Sequence, residues 1–197
     1  MLILEGEQGA RKSTALKILA GEDWFTDELP DLGSKDAAIH MQGVWIVEIA
    51  ELDAIGRAEV SRIKAFLTRT TDRFRPPYGR HTVEIKRQCV FAGTVNPDTY
   101  LRDATGNRRF WPIRCGDIDI DALARDRDQL WAEAVVRFKD GAIWWIEDNA
   151  LIKAAKKEQD NRYQSDAWDG VIDRWLSHEK RPINRGYAGV DDWQEEE

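Results

Sequence analysis

Short runs of consecutive apolar residues, separated by polar stretches with helical spacing, dominate the first half of this sequence. Continuous runs occupy residues 2–4, 44–47 and 89–95, and such runs are typical of strands buried on both faces of a parallel sheet. The apolar spacing between the runs predicts helices over residues 15–20, 35–41 and 57–68. This alternation of strands and helices predicts an α/β fold with a parallel-sheet core.

A turn-forming segment interrupts the alternation after the third predicted helix. Pro76, Pro77 and Gly79 can form a rigid turn, and apolar residues flank this turn on both sides. We therefore predict an inserted β-hairpin near residues 72–86.

The C-terminal part of the chain is predicted to be helical. A helix over residues 121–138 is expected to have one apolar side, formed by Leu123, Leu130, Trp131, Ala134 and Val135. Two further, highly charged helices are predicted over residues 149–162 and 167–176. The predicted organisation is a core at 1–115, a helical segment at 116–177 and a flexible polar tail at 178–197. Most of the nine tryptophans are expected to lie in the core.

Residues 6–14 read Gly-Glu-Gln-Gly-Ala-Arg-Lys-Ser-Thr and lie between the first predicted strand and helix. This arrangement is typical of a phosphate-binding P-loop, in which backbone N–H groups of the loop and the helix N-terminus surround the phosphates. Lys12 would reach the outer phosphate oxygens, and the Ser13 hydroxyl would bind Mg²⁺. The candidate nucleotide-binding residues are Gly6, Gly9, Arg11, Lys12, Ser13 and Thr14. The alternative is an ordinary glycine turn in which Ser13 or Thr14 caps the helix.

One position departs from the P-loop pattern G-x-x-x-x-G-K-[ST], because Arg11 stands where the pattern has glycine. Glycine adopts left-handed backbone conformations at little steric cost, so a larger residue there is expected to strain the loop. A guanidinium beside the phosphates would add positive charge, which would partly offset that strain.

Polar residues follow two of the other predicted strands. Glu48 and Glu51 come after the run at 44–47, and Asn96 ends the run that begins at residue 89. A P-loop nucleotide needs carboxylates at such strand ends, to hold Mg²⁺ through water and to polarise the attacking water. Glu48 is therefore a candidate metal ligand, and Glu48 and Glu51 are candidate catalytic residues. Asn96 is a candidate for orienting the attacking water. The alternative is that both acids merely lie on the surface.

Charge is distributed unevenly along the chain. The formal net charge is −7, yet the stretch from Arg57 to Arg114 contains 13 lysines and arginines against 5 acidic residues, a local net charge of +8. A basic middle in an acidic protein is compatible with an anion-binding channel, and equally with a solvated basic face.

Neither a membrane nor an oxidising compartment is indicated. No apolar run approaches the roughly 20 residues that span a bilayer. The two cysteines, Cys89 and Cys115, have no metal-ligand spacing, so the reducing cytoplasm is the expected location.

The predicted hairpin combines basic and aromatic residues. Arginines can pair with phosphates while aromatic rings stack on bases, which is how many proteins bind single-stranded nucleic acid. The candidate DNA-binding residues are Arg73, Arg75, Tyr78, Arg80 and Lys86. A proline-rich turn with nearby arginines can also be purely structural.

A pair of arginines, Arg108 and Arg109, precedes an aromatic apolar segment at 110–113. They could form structural ion pairs. In a ring-shaped ATPase, one of them could instead reach the neighbouring subunit's nucleotide as an arginine finger.

Five segments occur in an order that resembles the virulence-associated protein E family, P-loop ATPases of phages and mobile elements related to superfamily 3 helicases. They are residues 6–14, 45–52, 72–80, 93–96 and 106–112. The resemblance covers roughly residues 2–176 and is most specific around Arg80 and Arg109. It implies a P-loop NTPase fold of the AAA+/superfamily 3 helicase type, with an inserted β-hairpin and C-terminal helices.

The resemblance also implies roles for individual residues. Lys12 and Ser13 fall in the Walker A motif, and Glu48 and Glu51 fall in Walker B. Three further correspondences are the channel-lining hairpin at 72–86, the sensor asparagine at Asn96 and the finger region at Arg108 or Arg109.

Family relatives typically hydrolyse ATP with Mg²⁺ on single-stranded DNA, as ring oligomers, during replication. A hexameric ring is therefore expected in the full-length context, with a primase or helical domain ahead of this segment. Arg11 places nucleotide affinity in question.

Three other functions remain open from the sequence. The chain could be a non-catalytic nucleic-acid-binding protein whose P-loop is degenerate at Arg11. It could be an interaction protein that interferes with a replication complex. It could also be a P-loop kinase acting on a small molecule, although a kinase gives the basic and aromatic hairpin no role.

Overall fold

Strands and helices alternate through the first two thirds of the chain, as the apolar pattern predicts. The computed structural model describes residues 1–31, 34–51, 57–96, 99–101, 107–164 and 168–178. The strands are β1 (Leu2–Glu5), β2 (Phe25–Thr26), β3 (Ile46–Ile49), β4 (Thr71–Phe74), β5 (Val83–Lys86), β6 (Val90–Val95) and β7 (Trp111–Arg114). The helices are α1 (Lys12–Ala20), α2 (Lys35–His40), α3 (Arg57–Leu67), α4 (Ile120–Lys139), α5 (Asn149–Asn161) and α6 (Asp169–His178).

Five strands form one sheet in the order β2-β3-β6-β1-β7, and every neighbouring pair in it is parallel. The predicted α/β fold with a mainly parallel sheet is thereby confirmed. Because the strands are parallel, their carboxyl ends share one edge, where Glu5 of β1 pairs with Val95 of β6 and Arg114 of β7. Ligands of open parallel sheets bind outside this carboxyl edge.

Helices cover both faces of the sheet. Side chains alternate between the faces along a strand, so adjacent residues of β1 enter different clusters. Ile3 packs with Val60 and Ile63 of α3, whereas Leu4 packs with Leu16 of α1. The helix that follows the first strand is therefore held on one face, directly behind the loop at residues 6–11.

The predicted hairpin is present as a separate two-stranded sheet. β4 pairs antiparallel with β5, with Thr71 opposite Lys86 and Phe74 opposite Val83. The turn between the strands includes Tyr78, whose φ of 61° lies in the left-handed region.

Helix α4 packs against the end of α1 through two polar contacts. Arg127 donates hydrogen bonds to the backbone oxygens of Leu19 (3.2 Å) and Ala20 (3.1 Å), and the indole N–H of Trp131 donates to the Leu19 oxygen (2.9 Å). The last carbonyls of a helix lack intrahelical partners, and a cation there is favourable because of the helix dipole. These contacts fix α4 on the C-terminus of α1.

Only part of the predicted apolar side of α4 is covered. Leu123 and Trp131 are partly buried, whereas Leu130 and Val135 are 46% and 50% exposed. The expectation that most of the tryptophans lie in the core is wrong for those that the structure describes. Six of them are exposed, namely Trp24, Trp111, Trp144, Trp145, Trp168 and Trp175.

Contacts divide the chain into two units, Met1–Gln164 and Ser165–Glu197. In the second unit, α6 presents exposed apolar residues at Val171, Ile172 and Leu176. The predicted divisions at residues 115 and 177 stay predictions, and residues 179–197 of the predicted tail lie outside the described residues. Within the described part of the chain, no helix is both long and apolar enough to cross a lipid bilayer.

Candidate functional site

The loop at residues 6–11 joins the carboxyl end of β1 to the first turn of α1. Gly6 donates a backbone hydrogen bond to Val95 (3.3 Å), which ties the loop to the end of β6. A Cβ on Gly6 would lie 3.3 Å from the backbone oxygen of Cys115, so the close approach of β7 favours glycine there. Gly9 has φ 84°, a conformation that other residues rarely adopt.

Arg11 occupies the N-cap position of α1 with φ 59° and ψ 27°, in the left-handed region. The strain expected from a non-glycine residue at this position is therefore present in the backbone. The Arg11 side chain makes no capping hydrogen bond, as expected of a guanidinium, which has donors but no acceptor. The first N–H groups of α1 therefore receive no cap from the residue that precedes the helix.

Lys12 is buried, and its ammonium group is bound within the loop. Nζ donates to the backbone oxygens of Gly6 (2.7 Å) and Glu7 (2.8 Å) and to Oδ1 of Asn96 (3.1 Å). The predicted phosphate-binding lysine and the predicted water-orienting asparagine are thus in direct contact. All three partners are uncharged, so the positive charge of Lys12 is solvated by dipoles and not neutralised by them.

Ser13 and Glu48 are brought together beneath the loop. The Ser13 hydroxyl donates to Oε1 of Glu48 (2.6 Å), and the hydroxyl of Thr94 donates to the same oxygen (2.7 Å). The sequence analysis missed Thr94, although a polar residue in the otherwise apolar run of β6 was a signal that could have identified it.

The second carboxylate oxygen of Glu48 has no hydrogen-bond partner among the described residues, although the side chain is only 1% exposed. A buried carboxylate with an unsatisfied oxygen carries a large desolvation cost, which a cation would offset. The carboxylate and the hydroxyl of Ser13 are hard oxygen ligands, which Mg²⁺ prefers. These residues therefore fit a Mg²⁺ ion.

In the described residues, no group of three or more His, Cys, Asp or Glu side chains is placed to hold a metal. This is consistent with Mg²⁺, which usually takes one or two protein carboxylates and completes its shell with water and phosphate oxygens.

Glu51 differs from Glu48 in its surroundings. It lies two residues beyond β3, is exposed, and has φ 52°. The contacts described for Ser13 involve Glu48 and not Glu51. Thr14 is also exposed, in the first turn of α1.

A cavity of about 700 Å³ opens beside the loop at the carboxyl edge of the sheet. It is lined by Gly6, Glu7, Ala10, Asn96, Arg114, Cys115, Gly116 and Asp117. Burial raises the pKa of the Cys115 thiol, so this cysteine is a neutral part of the wall. The cavity places the loop, Asn96 and the end of β7 around one space.

Arg108 and Arg109 lie at the opposite edge of the sheet. They form a short 3-10 turn before β7, and the backbone oxygen of Arg109 accepts a hydrogen bond from the amino group of Met1 (2.7 Å). A four-residue strand spans about 13 Å, so β1 separates this edge from the loop. The two arginines therefore lie away from the cavity of their own chain.

All five candidate DNA-binding residues are exposed on or near the hairpin, namely Arg73, Arg75, Tyr78, Arg80 and Lys86. Arg73 pairs with Glu84 across the hairpin (3.6 Å), and Nε of Arg75 donates to the backbone oxygen of Gly79 (2.7 Å). Tyr78 projects fully into solvent at the turn.

The base of the hairpin is fixed to the core by Arg87, which the sequence analysis did not single out. Its guanidinium makes a two-pronged ion pair with Asp72 (2.6 and 2.7 Å) and donates to the backbone oxygen of Phe66. It also lies 4.1 Å from the centre of the Phe66 ring. The buried ion pair therefore joins the two sides of the hairpin at its base, and the contacts of Arg87 with Phe66 attach that base to α3.

Glu5, Tyr100 and Arg162 form a second buried cluster that the sequence analysis missed. Arg162 donates from Nε and Nη2 to the two carboxylate oxygens of Glu5, the latter at 2.8 Å. The Tyr100 hydroxyl also donates to Glu5 (2.7 Å). Burial and the Glu5 carboxylate raise the pKa of Tyr100, so its hydroxyl keeps the proton that it donates.

Two comparisons with solved structures return apo forms of the C-terminal region of NrS-1. One is 21% identical with a TM-score of 0.47, over 66% of this chain and 35% of that one. Another is 19% identical with a TM-score of 0.49, over 88% of this chain and 42% of that one. The chain thus spans less than half the length of these structures. No curated protein matches the sequence.

A protein-family comparison covers most of the chain. Residues 1–164 match the Virulence-associated protein E-like domain, which includes the loop, both buried carboxylates and the hairpin. The resemblance noted from the sequence is therefore confirmed, and this chain belongs to the virulence-associated protein E-like family.

Proposed function

We propose that this chain is the core of a Mg²⁺-dependent ATPase of the helicase or translocase type, which acts on single-stranded DNA in phage or mobile-element replication. The loop at residues 6–11 would be its P-loop, in a fold of the AAA+/superfamily 3 helicase type. Family membership supports the setting, and the geometry at the carboxyl edge of the sheet supports the chemistry.

The observation that carries the proposal is the contact between Ser13 and Glu48. A hydroxyl at the start of a helix and a buried carboxylate with one unsatisfied oxygen meet beside a buried lysine. An ordinary glycine turn needs none of these features, whereas a site for Mg²⁺ and phosphate needs all three. Mg²⁺ bound there would neutralise phosphate charge and align the transferred phosphoryl group.

Lys12 would change partners when the nucleotide binds. Its ammonium group now donates to two uncharged loop oxygens and to Asn96. Phosphate oxygens are stronger acceptors, since a charge-assisted hydrogen bond is about twice as strong as a neutral one. Release of Asn96 from Lys12 would leave its amide group able to orient the attacking water. Exposed Glu51 is the candidate to accept a proton, because Mg²⁺ would occupy the oxygen of Glu48 that the two hydroxyls leave unsatisfied.

The hairpin supplies the surface for DNA. Its basic residues are exposed, and Tyr78 in the turn is fully exposed. Base stacking on Tyr78 and phosphate pairing with Arg73, Arg75, Arg80 and Lys86 would bind single strands without sequence preference.

Arg108 or Arg109 would act on the nucleotide of a neighbouring subunit. Both lie a strand length from their own loop, so a contact with phosphate requires a second chain. This placement supports a ring assembly, proposed as a hexamer in the full-length protein.

The rival proposal is a non-catalytic nucleic-acid-binding protein that interferes with replication. The left-handed backbone at Arg11 favours it, because this strained residue is the last of the loop and directly precedes Lys12.

The test is Mg²⁺-dependent ATP hydrolysis with and without single-stranded DNA. Lys12→Ala should lower hydrolysis at least about a hundredfold, as loss of a phosphate-stabilising donor does elsewhere. Lys17→Ala is the matched control on the same helix, since Lys17 pairs with Glu22 at the surface (3.3 Å). DNA binding that survives in the absence of any hydrolysis by the unmodified chain would instead support the rival.

Mixing variants tests the neighbour's arginine directly. Lys12→Ala and Arg109→Ala should each be inactive, whereas their mixture should regain activity, because some interfaces then combine an intact loop with an intact Arg109. Arg125→Ala, at an exposed pair with Asp126, is the control. A mixture as inactive as its components would contradict a role for Arg109 across the interface, and Arg108→Ala would then be mixed in the same way.

A further inference from the structure

A buried cluster joins the end of α5 to the base of the candidate P-loop. We propose that Glu5, Tyr100 and Arg162 are positioning residues, which hold the loop at residues 6–11 and residues 100–101 in one fixed arrangement for nucleotide binding. This inference rests on the proposed function, because it assigns the cluster to the same site.

Arg162 binds the carboxylate of Glu5, the last residue of β1. Arg162 follows the last residue of α5, and its guanidinium binds both oxygens of the Glu5 carboxylate, which is 1% exposed. A two-pronged arginine–carboxylate pair fixes distance and orientation together. Glu158 holds the same guanidinium from the other side (2.6 Å). The final residue of β1 is therefore anchored to α5.

Arg162 also holds Tyr100 and Leu101, which lie beyond β6. The backbone oxygen of Arg162 accepts hydrogen bonds from the N–H groups of Tyr100 (3.0 Å) and Leu101 (3.0 Å), and Gln164 donates back to Leu101 (2.9 Å). The Tyr100 hydroxyl completes the cluster by donating to Glu5. One residue, Arg162, thus binds the end of β1 with its side chain and the segment beyond β6 with its backbone.

These two anchors lie next to the two groups that Lys12 contacts. Glu5 directly precedes Gly6, whose oxygen accepts from Lys12, and Tyr100 lies four residues after Asn96, which accepts from the same ammonium group. Displacement of either anchor would change the spacing between the loop and Asn96. A misplacement of about 1 Å can lower an enzymatic rate a hundredfold.

Helix α5 offers a matched control for a purely structural role. Gln159 is buried on the same helix and donates to the backbone oxygen of Phe110 (3.1 Å), at the opposite edge of the sheet from the loop. Both residues attach α5 to the sheet, but only Arg162 does so beside the loop. Substitution of Gln159 therefore tests the effect of loosening α5 alone, whereas substitution of Arg162 also tests the effect on the position of the loop.

The experiment compares Tyr100→Phe, Arg162→Lys and Arg162→Met with Gln159→Met in the full chain. Two readouts are used: the kcat and KM of Mg²⁺-ATP hydrolysis, and hydrogen–deuterium exchange of the loop amides without nucleotide. We expect Tyr100→Phe to lower kcat about tenfold and Arg162→Met about a hundredfold, with smaller changes in KM. Arg162→Lys should recover part of the loss, because it keeps the charge that faces Glu5 without the planar fork.

Exchange of the loop amides should become about tenfold faster in Arg162→Met and stay unchanged in Gln159→Met. Equal effects of Arg162→Met and Gln159→Met on kcat and on loop exchange would overturn the inference and leave the cluster a structural one. Tyr100→Phe, which removes a single hydroxyl, tests the cluster even where Arg162→Met does not fold.

The exchange readout separates failure of the inference from failure of the proposed function. If the unmodified chain hydrolyses no ATP, the proposed function fails, whereas the exchange comparison still decides whether Arg162 holds the loop. If hydrolysis is present and the loop exchanges equally in both variants, only the positioning role is lost.

Discussion

Two buried carboxylates at the carboxyl edge of the sheet, Glu5 and Glu48, have the same burial and opposite surroundings. Each is 1% exposed. Glu5 meets the guanidinium of Arg162 and the hydroxyl of Tyr100, so its charge is paired and both oxygens are bonded. Glu48 receives two hydroxyl groups on one oxygen, and its other oxygen lacks a partner among the described residues.

The difference separates an internal anchor from a group that remains available for a ligand. A buried charge is tolerated when it is paired and hydrogen-bonded, as for Glu5. At Glu48 the protein contributes only hydroxyl dipoles, so the carboxylate retains its capacity to bind a cation. The loop at residues 6–11 connects the two carboxylates. It begins directly after Glu5, and it is followed by Lys12 and then by Ser13, which contacts Glu48.

The largest expected effect comes from neutralising the paired carboxylate. Glu5→Gln removes the buried counter-charge of Arg162 and leaves its guanidinium with the exposed carboxylate of Glu158, and breaking a buried pair in this way costs about 3–5 kcal/mol. The free energy of unfolding, measured by urea denaturation, should fall by that amount. Asp126→Asn, at an exposed pair with Arg125, is the control and should change stability by less than about 1 kcal/mol. A similarly small loss for Glu5→Gln would contradict the assignment of Glu5 as an anchor.

A ligand at the unpaired carboxylate should have the next largest effect. Mg²⁺-ADP at a hundred times its dissociation constant should stabilise the chain by about 2.7 kcal/mol, since ligands that bind only the folded state do so by mass action. This stabilisation is measured by thermal unfolding in ADP with Mg²⁺, compared with thermal unfolding in ADP with a chelator. Glu48→Gln should remove most of the Mg²⁺-dependent part of the shift. A shift that is the same with and without Mg²⁺ would count against a metal at Glu48.

Glu48→Gln should have the opposite sign from Glu5→Gln when Mg²⁺ is absent. The amide keeps an oxygen for Ser13 and Thr94 and removes an uncompensated buried charge, so a gain of about 1–2 kcal/mol is expected. Urea denaturation in a chelator is the measurement. Thr94→Val gives the matched test, because loss of one donor to Glu48 should lower stability instead. A destabilised Glu48→Gln in chelator would mean that its charge is balanced within the chain.

The sequence predicted elements and residues that have local signals. The strand before Gly6, the helix after Lys12 and the hairpin around Tyr78 follow from apolar spacing and turn residues within short windows. Lys12, Ser13, Glu48 and Asn96 were recognised because each belongs to a motif, and the structure places them together.

The pairing of Glu5 with Arg162 has no local signal in the sequence. Glu5 and Arg162 are separated by 157 positions, and Arg162 looked like one more charge on a peripheral helix. Pairing over that distance is decided by how α5 returns to the sheet, which periodicity does not specify. The packing face of α4 was predicted only in part for the same reason, since Trp131 of the predicted apolar side contacts α1 but so does Arg127, which lies outside that side.

The smallest expected effect concerns the loop that joins the two carboxylates. Arg11 has φ 59°, where a non-glycine residue costs about 1–2 kcal/mol, while glycine loses about 0.4–1 kcal/mol through its freer unfolded chain. Arg11→Gly should therefore stabilise the chain by about 0.5–1 kcal/mol in urea denaturation. Arg11→Ala removes the same guanidinium but keeps the left-handed strain, so it should give no such gain.

The same pair of variants shows which effect of Arg11 dominates at the nucleotide. Arg11 lies two residues before Ser13, which contacts Glu48, so the backbone strain at Arg11 affects the position of both groups. Relief of that strain should tighten Mg²⁺-ADP binding in Arg11→Gly. Loss of the positive charge without relief of the strain should weaken binding in Arg11→Ala. If Mg²⁺-ADP binding weakens equally in both variants, the charge of the Arg11 guanidinium favours phosphate binding by more than the backbone strain at Arg11 disfavours it. Hydrogen exchange near Glu5 should be unchanged in both, because Arg162 and Tyr100 fix that end of the loop independently of Arg11.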